Sequence, residues 1–328
     1  MDRVGLQTAV ICAVGLWSIA TALTGLSSTF AQLIGARIFL GIWESAGVPA
    51  AGKLNAMYLE PRYRAIGAAV TQVGLSIGLM AAPRLVNAFP AWRTPFFLCG
   101  GLGLLWIPLW AVVRRAVPPV EEATPVKRGF GALALIRDPR LIRLSTANFL
   151  WMGIYTLSSN WTTLFMTKTF QLTSTEANNF AWFPPVASTL GAFTGGWISM
   201  RLMKRGEEAV ESRVHGTFIA ALGCLALLTV PLAPSPLWAT AAISLSYFWV
   251  TAGSVNLYTI PVDIWGAERA GTAISALVFS YGLLQWAISP AIGAVVDHFG
   301  GFAPVCRILA FTPLASWLML RGMANRTK

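Results

Sequence analysis

The chain has 328 residues, 55% hydrophobic and 11% charged, with a mean hydropathy of +0.63 and a formal net charge of +11. A soluble domain carries about 25% charged residues, so this chain cannot clothe a large water-facing surface and reads as a polytopic membrane protein. Its basic excess forms no stripe of Lys and Arg interleaved with aromatics, which excludes a nucleic-acid partner and leaves basic loops on one side of a bilayer.

The apolar runs are helix-length rather than short and alternating, which favours membrane helices over a barrel. Ten of them are drawn, at roughly 4–27, 30–55, 65–87, 94–113, 145–167, 177–200, 214–233, 237–260, 270–294 and 304–321. The first follows Met1-Asp2-Arg3 and has no small-residue cleavage site at its far end, so it is expected to remain as a span. The second contains Gly35 to Pro49, where Arg37 and Glu44 are the only ionisable residues in an apolar setting. A charge at the centre of a bilayer helix costs roughly 2.5–3.5 kcal/mol and usually marks function. Seven residues separate the two. That is two helical turns, or about 10 Å along one face, with Gly41 between them leaving open space.

Between the fourth and fifth runs lies the long connection Arg114 to Leu144, with the Pro-rich VPPVEEATP and then GFGALALIRDPRLIR, a candidate amphipathic surface helix. It divides the chain into 1–113 with four spans, a linker at 114–144, and 145–328 with six. With the N-terminus inside, 18 of the 24 Lys and Arg fall on inside segments and only Arg93 and Lys168 outside. The bias predicts a multi-pass protein of the cell inner (plasma) membrane with both termini cytoplasmic. A faint internal repeat pairs Arg64-Ala65 with Arg269-Ala270, and Asp2-Arg3-Val4-Gly5 with GGWISMRLMKRG at 195–206, as repeated transporter halves do.

Other functional classes lack their residues. His215 and His298 stand alone and Cys12, Cys99, Cys224 and Cys306 have no metal-like spacing, so neither a metal site, a cofactor nor a disulfide is expected. The cysteines read as small buried hydrophobes. No nucleophile–base set supports an enzyme, and no GxxxxGK[ST] supports a nucleotide-driven pump.

The ordered motifs resemble the major facilitator superfamily, and within it the anion:cation symporter branch of hexuronate and sugar-acid permeases. Asp2-Arg3-x-Gly5 is similar to the end of the loop signature between that family's second and third helices. Arg37, Gly41, Glu44 and Pro49, followed by Pro61, Arg64 and Ala65, match the branch's fourth-helix pattern and the turn after it. Gly74, Gly78, Pro83, Trp92-Arg93, the loop at 195–206 and PVDIWGAERAGTAISALVFSYGLLQWAISPAIG follow in the family's order. The resemblance implies an all-α major-facilitator-type bundle of about ten transmembrane helices, four plus six, with the first two family helices outside this sequence. It also implies departures: Met200 replaces an Asp of the second loop signature, Gln7 and Thr8 replace arginines, and NFLWMGIY has no arginine. Arg37 is thereby left as the expected deep cation.

The implied activity is symport of a small organic anion, such as a hexuronate, with a proton, by a monomer in the lipid bilayer. Arg37 is the expected carboxylate anchor, having a planar donor fork. Glu44 is the expected proton carrier, an acid pulled one way by desolvation and the other by a neighbouring cation. The alternative is a structural ion pair between them, although seven residues exceed the i,i+4 contact. Gln72, Asn160, Asn256 and Gln285 are candidate partners for sugar hydroxyls, against the commoner use of such residues in interhelical hydrogen bonds. Tyr155 and Tyr281, with Trp161, are candidates for stacking on a sugar ring. Gly74-x-x-x-Gly78 is expected to be a close helix contact. Asp2, Arg3, Gly5, Arg64, Arg201, Asp263 and Arg269 are expected at the cytoplasmic gate and loops. An inactive fragment, or a sodium-coupled or other carboxylate permease of the same superfamily, is the alternative function.

Overall fold

The computed structural model describes residues 5–89, 91–116 and 131–324. Asp2 and Arg3, from the expected loop signature, lie outside them. Every regular element among the described residues is a helix, and six helices are individually long and apolar enough to cross a membrane. The ten apolar runs all fall on helical segments. Several spans are built from two or three shorter helices, and these breaks position the site.

The first group comprises α1 (Leu6–Leu26), α2 (Phe30–Glu44), α3 (Gly47–Tyr58), α4 (Pro61–Ala88) and α5 (Thr94–Ala116). The run at 30–55, expected as one span, breaks after Glu44. Pro49 has no N–H to give the Ser45 carbonyl and its ring crowds that position, so the helix kinks there. The break leaves Glu44 at the C-terminal end of α2 and turns α3 toward α14. At its other end α2 is closed by a capping box, in which the Thr29 hydroxyl accepts from the Gln32 N–H and the Gln32 amide accepts from Thr29. The outer surface of this group is apolar, as in the stripe Phe30, Ile34, Ile38 and Ile42 at four-residue spacing, a face suited to lipid.

The second group begins with α6 (Gly131–Ile136), the described remainder of the expected amphipathic segment. It continues with α7 (Pro139–Trp151), α8 (Gly153–Asn160), α9 (Thr162–Phe170), α10 (Ser174–Asn178), α11 (Phe183–Lys204) and α12 (Ala209–Gly223). A 3-10 segment at Cys224–Leu232 leads into α13 (Pro236–Leu257), α14 (Ile260–Phe299) and α15 (Ala303–Ala324). Its first span starts at Pro139 rather than 145, because the Asp138 carboxylate accepts from the Arg140 N–H and Pro139 fits the first helical position. One continuous core runs through it, from Leu141 and Trp151 through Tyr247 and Leu277 to Leu320. Helices α11 and α13 approach at Gly191 and Gly195, where an added Cβ would run into the Phe248 and Ala252 carbonyls. The close GxxxG contact is therefore here. At Gly74 and Gly78, where it was expected, an added Cβ meets nothing within 4 Å among the described residues.

The groups meet along α4 with α11 and α3 with α14. Small residues make this seam: Ala69 packs with Ala192 and Val255, and Gly196 faces the Ala65 backbone. Of the cysteines, Cys224 and Cys306 are buried as expected, whereas Cys12 and Cys99 sit on the exposed apolar surface.

Candidate functional site

Between the two groups lies a cavity of about 530 Å³, lined by α2–α4 on one side and α8, α13 and α14 on the other. It forms where helices are interrupted, so that side chains at helix ends can enter it, the pattern by which discontinuous helices build transporter sites. Glu44 and Ser45 line it at the α2–α3 break, and Met152 lines it at the α7–α8 break.

The structure gathers Glu44, Gln72, Tyr155, Tyr281 and Gln285 around this one space, together with Arg64. Tyr155 stands edge-on to Tyr281, ring centroids 5.9 Å apart, and to the buried Tyr247 at 5.1 Å. The Gln285 amide donates to the Tyr281 hydroxyl at 2.6 Å, which fixes both polar tips on the cavity wall. Gln72 donates to the Ser188 hydroxyl across the seam at 3.0 Å, so it lines the cavity while joining α4 to α11.

Other expected residues are placed elsewhere. Asn256 is fully buried between α13 and α11. Its amide donates to the Gly195 and Ala252 carbonyls at 3.1 Å, and its oxygen accepts from Ser199. All its polar capacity near α11 serves helix packing, and the cavity does not reach it. Asn160 is exposed at the end of α8, accepting from Ser159. Trp161 packs on Phe302 in the second core rather than on the cavity.

Arg37 is also outside the cavity lining. It is exposed two turns along α2 from Glu44, with its guanidinium 5.0 Å from the centroid of Phe96 on α5, a cation–π arrangement. The expectation that it is the deep cation is corrected by burial. Among the described residues the buried cations lie elsewhere: Arg213, side chain 0% exposed, and Arg64, 16% exposed, both on Asp263, 1% exposed, with Lys53 buried on α3. Arg64 donates to Asp263 at 2.9 Å, and Arg213 donates at 3.3 Å. Arg64 further donates to the Leu59 carbonyl and Arg213 to the Pro61 carbonyl. These bonds tie the α3–α4 turn to α12 and α14 beneath the cavity. Removing Asp263 from such a cluster would strand buried positive charge at roughly 3–5 kcal/mol. Arg213 was legible only as one more basic residue near a helix start.

Of the remaining gate residues, Gly5 caps α1 with φ +80°, where glycine's lack of a Cβ permits the left-handed turn. Arg201 is exposed, its guanidinium 4.1 Å from the Trp197 ring centroid. Arg269, the counterpart of Arg64 in the repeat, is exposed rather than drawn into the cluster.

Residues 1–290 match the Major Facilitator Superfamily. The chain belongs to this superfamily. Members are transporters rather than enzymes, and the helices described above are those of a multi-pass membrane protein. The hexuronate transporter of Escherichia coli strain K12 is 24% identical over an alignment covering 98% of this chain and 79% of that one. The galacturonate transporter of Dickeya chrysanthemi is 25% identical, covering 72% and 74%. Among solved structures, the human organic anion transporter MFSD10 superposes with a TM-score of 0.76 at 20% identity, covering 97% of this chain and 78% of that one. The Escherichia coli fucose:proton symporter gives 0.71 at 15% identity, covering 98% and 85%. The structural likeness is one of fold. The cavity thus lies where a facilitator's two groups face each other.

Proposed function

We propose that this chain is a proton-coupled symporter of a small organic anion, with a hexuronate or related sugar acid as substrate. The observation that carries the reading is the composition of the cavity. One carboxylate, Glu44, and one guanidinium, Arg64, stand opposite hydroxyl and amide groups on a tyrosine-rich wall. A sugar acid offers a carboxylate for the charged side and a ring with hydroxyls for the aromatic side. Two relatives named for hexuronate and galacturonate transport support the same class.

In this reading Arg37, exposed two turns from Glu44 toward the far end of α2, takes the carboxylate on its way in. Glu44 carries the proton. Neutralising it before the anion arrives avoids two like charges in a medium of low dielectric. Gln72, Gln285, Tyr155 and Tyr281 orient the sugar. The Arg64–Asp263–Arg213 cluster closes the end of the molecule rich in Lys and Arg, which faces the cytoplasm by the positive-inside bias. The cavity then serves the outer side, and rocking of the two groups exposes it inside. The chain acts as a monomer.

The test is uptake of radiolabelled galacturonate, glucuronate and galactonate into proteoliposomes under an inward proton gradient. Gradient-dependent accumulation of at least one acid is expected. Equal uptake with and without the gradient would remove proton coupling, and transport only with a sodium gradient would replace it.

A further inference from the structure

We propose that Arg64 is a second station for the transported anion, and that a carboxylate arriving there draws Arg64 away from Asp263 and so unlatches the two groups. The identity of the anion rests on the organic-anion reading above; the latch and its chemistry rest on the geometry alone.

Three observations converge. First, Arg64 belongs to two structures at once: it lines the cavity and it holds Asp263. Asp263 and Arg213 do not line the cavity, so Arg64 is the member of the cluster that a cavity occupant can reach. Second, the cluster carries two guanidiniums and one carboxylate, all largely withdrawn from water, and the Arg213 Nη1 is buried without a hydrogen-bond acceptor. The floor is therefore positively charged and short of acceptors. A charged group is attracted to such a floor far more strongly there than in water, and a carboxylate matches the fork of a guanidinium. Third, the exchange leaves no charge unpaired. Once the anion takes Arg64, Asp263 keeps Arg213, and each cation has one anion. A balanced cluster of one Arg and one Asp could not make that exchange, because an incoming carboxylate would strand Asp263.

The consequence is mechanical. Arg64, Leu59 and Pro61 belong to the first group, whereas Asp263 and Arg213 belong to the second. With Arg64 turned to the anion, the charged bond across the seam is gone, and the Arg213 bond to the Pro61 carbonyl is what remains of the cluster's link. Asp263 also sits on a short turn set off from the rest of α14. Three residues on, Gly266 has φ +67° and ψ −177°, a non-helical conformation inside the helix that a side chain would strain. The turn bearing Asp263 can thus move without carrying the whole of α14.

Pulsed electron spin resonance on the full chain in lipid nanodiscs tests this. Spin labels replace the exposed Arg62 and Arg205, one on each group near the cluster, in a background with Cys12→Ser and Cys99→Ser. The distance distribution is read while galacturonate, and in parallel acetate, is titrated, with galacturonate binding measured by calorimetry on the same samples. An anion is expected to raise the ratio of long to short distances by about tenfold, within the usual range for coupled sites. Asp263→Asn should show the long distance without any anion. Arg64→Gln should show a long-distance population that no longer responds to anion. Should Arg64→Gln fail to fold, Arg64→Lys keeps the charge without the fork and should need several-fold more anion for the same response. Anion-driven widening in Arg64→Gln equal to the parent's, or in Arg64→Lys at the parent's anion concentration, would overturn the proposal. So would galacturonate binding with no widening, which leaves the sugar-acid reading standing. Widening by acetate with no binding of galacturonate supports the station and sinks the sugar-acid reading instead. No widening by either anion overturns the station.

Discussion

On the cavity wall formed by α2–α4 stand Glu44, Asn55, Arg64, Thr71 and Gln72, whereas α8, α13 and α14 present Tyr155, Tyr258, Tyr281 and Gln285 with no carboxylate or cation. The same contrast runs outward into the packing. The second group has one continuous core, while α2 buries Ala36 alone and the first group's main cluster is Leu6, Val10, Val14 and Ala50. A closely packed group can hold aromatic rings in fixed positions, which recognition of a sugar needs. A wall that carries an acid and a cation can exchange a proton and re-pair its charges, which proton coupling and gating need. The difference suggests a division of labour: charge movement on one wall, shape on the other.

The strongest way to break that division is Glu44→Gln. If charge movement belongs to the first wall, this variant loses proton-driven accumulation while keeping exchange of internal for external substrate, since the neutral amide mimics the protonated acid. Counterflow and gradient-driven uptake in the same proteoliposomes separate the two. Intact gradient-driven accumulation would take the proton role from Glu44 and with it the functional half of the comparison.

Next in size is the packing contrast. Gly195→Leu forces a side chain into the Ala252 backbone, and overpacking of this kind costs about 1–3 kcal/mol or more. Gly74→Ala and Gly78→Ala add a methyl to open space inside α4 and should leave stability unchanged or raise it by up to about 1 kcal/mol, since Ala favours the helix over Gly. Thermal melts in one detergent compare them. Equal losses at Gly74 and Gly195 would show that the first group is packed as closely as the second.

These glycines show how far the sequence could be read. Gly74-x-x-x-Gly78 and Gly191-x-x-x-Gly195 have the same spacing, and only the facing helix distinguishes a contact from a gap. The ten apolar runs were legible because bilayer thickness sets their length, as was the pairing of Arg37 with Glu44 on one helix. The run at 30–55 was read as one span, and the break after Glu44, with its effect on where Glu44 points, needed the fold. Asn256 and Gln285 are both amides in apolar helices. One is consumed by α11 and the other faces the cavity, and nothing in their immediate neighbours says which. The Arg64–Asp263–Arg213 cluster joins residues 199 and 50 positions apart, so no local pattern could announce it. Arg37, conspicuous in sequence, turned out exposed for the same reason: burial is a property of neighbours.

A smaller effect is expected on the aromatic wall. Tyr281→Phe removes the hydroxyl that accepts from Gln285 and one candidate contact to substrate. A single hydrogen bond is worth about 1 kcal/mol, or about fivefold in affinity. The expected result is a KM for galacturonate raised by about fivefold with maximal rate and proton coupling unchanged. A fall in coupling would carry charge movement onto the second wall.

The smallest effect distinguishes how the two groups begin their helices. Thr29 caps α2 through a neutral box with Gln32, whereas Asp138 caps α7 with a carboxylate. The side-chain hydrogen bond from Arg140 holds the Asp138 carboxyl below its ordinary range against the opposing effect of burial, helped by that residue's N–H and charge. A carboxyl whose folded pKa is depressed stabilises the fold above its unfolded value, and that contribution fades as pH falls through the folded one. Thr29→Ala and Asp138→Ala should each cost about 1 kcal/mol at neutral pH, the second held to that scale because the Arg140 side of its ion pair is more than half exposed. Below about pH 4, where carboxylates begin to protonate, the cost of Asp138→Ala should shrink toward zero while that of Thr29→Ala stays constant. Melting temperatures of both variants relative to the parent, taken from pH 7 downward, read the difference. A cost at Asp138 that does not change with pH would mean that the carboxylate's charge contributes nothing to the start of α7.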